Sequence, residues 1–137
     1  MNGRISDKIK ELEESLDYLL SIIPQSYKEY SGDLKTKAAS ERYFEKIIEA
    51  VVDLAFLFIK EKKIELPEDD QAAFDVLAKG DFISQDLAKK FKDAKGMRNF
   101  IIHQYEKIDD LMVYSAIKEE LENDIREFIR VVKQELE

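Results

Sequence analysis

The 137 residues contain no cysteine, which excludes disulfides, thiolate catalysis and Cys-ligated zinc and leaves nothing to argue for an oxidising compartment. Glycine (4) and proline (2) are scarce, while hydrophobic residues make 45% and charged residues 38%. That balance suits a soluble bundle of long helices better than a sandwich or a disordered tail. Long hydrophobic runs are also missing. The longest, 47–59, is too short to span a bilayer and is interrupted by Glu49 and Asp53. The start, Met1-Asn2-Gly3-Arg4-Ile5-Ser6, lacks the basic-then-apolar order of a signal peptide, so the expected location is the cytoplasm with no membrane partner. Positive charge is in deficit too. A net charge of −8 argues against a protein that coats nucleic acid non-specifically, because attraction to phosphates at long range needs a positive field.

What is present points to one all-α domain over 1–137, since this length holds one core comfortably and two poorly. Ile5, Ile9, Leu12, Leu16, Leu19 and Ile23 recur in steps of four and three, which predicts a first helix limited by Pro24. Ser31-Gly32-Asp33 then predicts a loop. A second helix is expected from Asp33 or Thr36 to about Lys62, with Phe44, Ile48, Val51, Ala55 and Phe58 as its main stripe. Ile47, Val52, Leu54, Leu57 and Ile59 widen that stripe until little polar face remains, which implies a central helix, a subunit interface, or both. Pro67 followed by Glu68, Asp69 and Asp70 reads as the first turn of a short helix ended by Gly80. Ser84 is placed to cap a fourth helix carrying Leu87, Phe91 and Ala94, and a last helix should run from Asp109 or Asp110 with Tyr114, Ile117, Leu121, Ile125, Phe128 and Val132 inward. The expected architecture is an up-and-down bundle of four long helices plus a short one.

Chemistry concentrates in one segment. Continuing the stripe Leu87, Phe91, Ala94 by helical steps lands on Arg98, then Ile101 or Ile102, then Tyr105. A guanidinium is costly to bury alone, so Arg98 either lines a groove open to an anion or meets a buried carboxylate, for which Asp53 is a candidate. His103 is the single histidine. At about 100° per residue Arg98 projects with Tyr105, and Asn99 lies close to His103, the two pairs standing roughly 120–140° apart. That spacing leaves open whether they share a groove, and a structural ion pair with a boundary histidine fits it equally. Lys89, Lys90, Lys92 and Lys95 precede the segment with Asp93 alone among them, a local basic strip that would guide phosphates or simply be a solvated face.

The string Gly96-Met97-Arg98-Asn99-Phe100-Ile101-Ile102-His103-Gln104-Tyr105, followed by Ile108-Asp109, resembles the arginine, four residues, histidine, one residue, tyrosine signature of HepT-like members of the HEPN superfamily. Ser40-Glu41-Arg42, Ala50-Val51-Val52-Asp53-Leu54-Ala55, Phe74-x-x-Leu77 and Val113-Tyr114 also stand where that family has similar residues, so the likeness covers roughly residues 35 to 135. The resemblance implies a HEPN-like fold and a toxin that cuts RNA without metal or other cofactor. Arg98 and His103 would be catalytic and Asn99 supporting, while Tyr105 would be adenylylated by a small nucleotidyltransferase antitoxin, MntA. The residue types suit that role. Histidine takes a proton from a ribose 2′-hydroxyl near neutral pH, and arginine offers a fixed fork to the charge on phosphoryl oxygens. One histidine per chain leaves the leaving oxygen without an obvious acid, which the family's homodimeric arrangement would supply.

Two rival readings accompany this one. The same fold would serve as a non-catalytic nucleotide-binding or substrate-positioning partner of a nucleotidyltransferase. A carboxylate-bridged metal centre would need Glu-x-x-His pairs, and the residue three before His103 is Phe100.

Overall fold

The computed structural model describes residues 1–103 and 108–137. Its helices are α1 (Gly3–Ile22), α2 (Tyr27–Gly32), α3 (Leu34–Lys62), α4 (Asp70–Lys79), α5 (Gln85–His103), α6 (Asp110–Ser115) and α7 (Glu122–Leu136). A π-helical stretch, Ala116–Leu121, joins α6 to α7 with helical backbone on both sides, so the last long helix expected from sequence is continuous but locally widened.

Short polar side chains start the helices by taking backbone N–H groups that no carbonyl can reach. Asn2 accepts from Ile5 N, Ser26 from Glu29 N, Asp33 from Thr36 N, Asp69 from Ala72 N, Ser84 from Leu87 N and Asp109 from Met112 N, at 2.8–3.2 Å. Each such cap stabilises its helix by about 1 kcal/mol. These caps correct two expectations. Pro67 lies before the short helix rather than in its first turn, because Asp69 is the cap and α4 begins at Asp70. Residues 27–32, read as the approach to a loop, form α2 because Ser26 caps them and Tyr30 is wholly buried. Gly80 does end α4, although the left-handed residue is Asp81 (φ 62°). A Cβ at Gly80 would lie 2.8 Å from the Phe82 ring, so the glycine makes room for a side chain.

The core confirms the expected stripes. Ile5, Ile9, Leu12, Leu16 and Leu19 of α1 and Phe44, Ile48, Val51, Ala55 and Phe58 of α3 are buried. Ile47, Val52, Leu54 and Ile59 are buried as well and Leu57 is half-buried, because α1, α2, α4 and α5 all pack on α3. The wide apolar arc therefore belongs to a central helix, and neighbours within the chain account for it. Phe91 ties the far side together, its ring 5.2 Å from Phe74 and 5.5 Å from Phe128. Tyr114 fastens α6 to the end of α1 by donating its hydroxyl to the Pro24 carbonyl at 2.7 Å. Among the described residues no helix is long and apolar enough to cross a membrane.

Candidate functional site

The signature residues come from the C-terminal half of α5, where that helix leaves the core. Arg98 and Asn99 are half-buried and His103, the last residue of α5, is exposed. The Arg98 side chain retains 18% exposure. Its Nη1 donates to Asn99 Oδ1 and its Nη2 to Glu49 Oε2, both at 3.4 Å, while its Nε is buried without a hydrogen-bond partner. His103 follows Asn99 by one helical turn, and Arg98 by about 7.5 Å along the axis. The structure thus joins Arg98 to Asn99 and leaves the arginine partly covered and the histidine open to solvent. Tyr105 lies outside the described residues.

The sequence offered the wrong carboxylate for Arg98. Asp53 is exposed and bonded to Lys8 at 3.3 Å, whereas Glu49, one turn earlier on α3, meets Arg98. Both acids share one stripe of α3, and only the axial offset between α3 and α5 chooses between them. No residue spacing encodes that offset.

Of the two readings of the basic strip, the ion pairs favour a solvated face. Lys89 pairs with Asp93 (2.9 Å), Lys90 with Asp86 (3.5 Å) and Asp124 (3.8 Å), Lys92 with Asp75 (2.9 Å) and Lys95 with Asp70 (3.1 Å). These acids come partly from α4 and α7, which a reading along the chain does not see. Asp124 is held above the usual carboxylate range by burial, against the pull of Lys90, while Asp124 and then Asp86 raise Lys90. The lysines therefore form a neutralised face. Among the described residues no three His, Cys, Asp or Glu side chains gather where a metal ion would sit.

Between α5, α6 and the π-helical stretch lies a groove of about 790 Å³ that begins at Lys92 and Asp93. Met97, Phe100, Ile101, Met112, Val113 and Ala116 give it an apolar floor, with Asp93, Glu119 and Glu120 among its polar walls. Neither Arg98 nor His103 lines it. Phe100 and Ile102 (each 42% exposed) and Leu111 and Met112 (52% and 58%) are large apolar side chains left uncovered near the signature. Of the two isoleucines that the stripe could place inward, Ile101 is buried and Ile102 is not, and sequence reading assigned the exposed Phe100, Leu111 and Met112 no role.

A family model described as ribonuclease HepT-like matches residues 12–132. The chain is 24% identical over 135 residues to the mRNA nuclease HepT of Shewanella oneidensis, covering 98% of this chain and 100% of that one. It is 26% identical over 113 residues to the tRNA nuclease HepT of Aphanizomenon flos-aquae, covering 82% and 77% of the two chains. The fold is shared with the tri-AMPylated HEPN toxin of Shewanella oneidensis, solved in complex with an MNT antitoxin. That match has a TM-score of 0.89 at 23% identity over 98% of this chain and 99% of the other. With an arginine, an asparagine and a histidine on the solvent-reached end of one helix and the family match spanning most of the sequence, this chain belongs to the ribonuclease HepT-like family.

Proposed function

We propose that this protein is a HepT-like toxin, a single-domain cytoplasmic endoribonuclease that needs no metal and acts as a homodimer. The observation that carries the reading is the Arg98 guanidinium: it is linked to Asn99, is held by contacts no shorter than 3.4 Å and stands on the same helix as an exposed His103. In this mechanism His103 takes the proton of a ribose 2′-hydroxyl and the 2′-oxygen attacks the adjacent phosphorus. The bond from phosphorus to the 5′-oxygen breaks, leaving a cyclic phosphate. His103 of the partner subunit, in its imidazolium form, protonates the departing oxygen. Arg98 holds the non-bridging oxygens as their charge grows, and Asn99 steadies the guanidinium. The uncovered Phe100 and Ile102 beside the signature support a dimer that brings two such segments together.

The HEPN toxin of Shewanella oneidensis was solved with an MNT antitoxin and in an AMPylated state, and related structures carry the name MntA. For this chain we place the corresponding modification at Tyr105, by an MntA-like nucleotidyltransferase. A bulky anionic nucleotide two residues beyond His103 would keep RNA out by its size and by like-charge repulsion.

The test is incubation of the purified protein with structured RNA in excess chelator, beside a His103→Ala variant. Cleavage that survives the chelator and falls by about 100-fold or more in the variant is expected. An uncut RNA in both samples would replace this reading with that of a non-catalytic nucleotide-binding partner of a nucleotidyltransferase. Metal-dependent cleavage would overturn the mechanism.

A further inference from the structure

We propose that Glu49 is a positioning residue that occupies the Arg98 guanidinium while the site is empty of RNA and yields it to the phosphodiester, an inference that rests on the nuclease reading above. A carboxylate and a phosphodiester present the same chemistry to arginine, a negative charge spread over two acceptor oxygens. Glu49 is therefore a built-in competitor for the group that the substrate needs.

Two observations favour exchange over a fixed structural bridge. The contact from Arg98 Nη2 to Glu49 is 3.4 Å, as is that from Nη1 to Asn99, and both exceed the roughly 2.7–2.9 Å of a strong charge-assisted bond. The two partners are unequally exposed. Arg98 keeps 18% of its side-chain surface and Glu49 keeps 59%, so the carboxylate can turn into water at little cost while the guanidinium stays in place. The remaining guanidinium nitrogen, Nε, is buried without a hydrogen-bond partner, so the exchange involves the two terminal nitrogens alone.

The neighbouring acids of the same α3 stripe are engaged elsewhere. Glu45 pairs with Arg42 at 3.4 Å and Asp53 with Lys8 at 3.3 Å. Among the described residues Glu49 alone is in ion-pair contact with Arg98. A released Glu49 remains close to the bound phosphate and repels it, which gives the residue a measurable inhibitory signature. Replacing it with glutamine keeps the hydrogen-bonding shape and removes the charge.

The experiment compares wild type, Glu49→Gln and Asp53→Asn in RNA cleavage at low and high salt. Glu49→Gln is expected to lower KM about threefold at low salt, in line with an exposed ion pair, and to keep kcat within about twofold. The gain should shrink as added salt screens the charge. Asp53→Asn removes the same charge one turn away and should change KM less. A second arm measures binding of fluorescent RNA by anisotropy in a His103→Ala background, where Glu49→Gln should tighten the complex by a similar factor. An unchanged or higher KM, an equal effect of Asp53→Asn, or a tenfold loss of kcat overturns the proposal. If wild type cuts no RNA, the nuclease reading fails by itself, and the anisotropy arm still decides for or against Glu49.

Discussion

Residues 85–95 of α5 bury Leu87, Ala88, Phe91 and Lys95, whereas in 96–103 only Ile101 is buried, Phe100 and Ile102 face solvent, and Arg98 and Asn99 turn half inward. The first half obeys the ordinary rule of an amphipathic helix, with even Lys95 laying its stem inside and its ammonium on Asp70. The second half departs from that rule. Phe100 and Ile102 point out while Arg98 and Asn99 lie half inward, an arrangement that folding of one chain does not reward and that a second molecule on the apolar side and an anion on the polar side would. One helix thus passes from a segment that follows the rule of burial to one that departs from it.

The sharpest way to break this contrast is to damage the first half. Phe91 is 2% exposed and bridges Phe74 and Phe128, so Phe91→Ala leaves a cavity among three rings. It should destabilise the fold by about 3–5 kcal/mol, read from denaturant unfolding. The exposed His103 should show the reverse pattern, with His103→Ala leaving the unfolding midpoint near wild type while cleavage is lost. A large stability loss at His103 would mean that the two halves are not separable.

That division also explains what could be read in advance. The stripes of α1, α3 and α7 were legible because burial follows helical period, and Asp33, Ser84 and Asp109 announced their helices because only a short polar side chain at that position satisfies the open N–H groups. Arg98, Asn99 and His103 were legible as a string, by resemblance and by an arginine standing where the stripe required an apolar residue. The partners across helices were not. Glu49 instead of Asp53, and Asp70, Asp75 and Asp124 for the lysines, depend on how far one helix is slid along another, a quantity fixed by packing of the whole bundle. The short α2 escaped because Ser31, Gly32 and Asp33 are turn formers, and burial of Tyr30 overrides that local preference.

The outward apolar groups of the second half provide the next test. If Phe100 and Ile102 are covered by a second copy, charging both in Phe100→Asp/Ile102→Asp should weaken self-association by at least about tenfold per substitution, measured by sedimentation. Thermal unfolding of the dilute protein should change little, because both side chains are already 42% exposed. Cleavage per chain should fall along with dimerisation. Loss of dimer with full activity would show that each chain works alone, and an intact dimer would move the interface elsewhere.

The smallest effect concerns a second inward polar group at the same end, Glu41 of α3. It is 3% exposed and neither carboxylate oxygen has a hydrogen-bond partner. Burial raises its pKa above the usual 4.5, Lys37 pulls it down, and Asp110 and Glu45 push it up. Lys37 itself bridges to Asp110 at 2.8 Å, so this carboxyl lies beside the joint that holds α6 to α3. The folded protein binds the Glu41 proton more tightly than the unfolded chain does. Below the unfolded value both states are protonated and the residue costs nothing extra. As pH rises through the folded value, charge appears in a buried place and stability is lost. Glu41→Gln should therefore stabilise the protein at pH 7 by about 1 kcal/mol, a shift of a few degrees in Tm, with the difference closing towards pH 4. Unlike His103, it should leave cleavage unaltered. A gap that is equally wide at pH 4 and pH 7 would show that glutamine acts by shape and that ionisation of this buried carboxyl is not what costs stability.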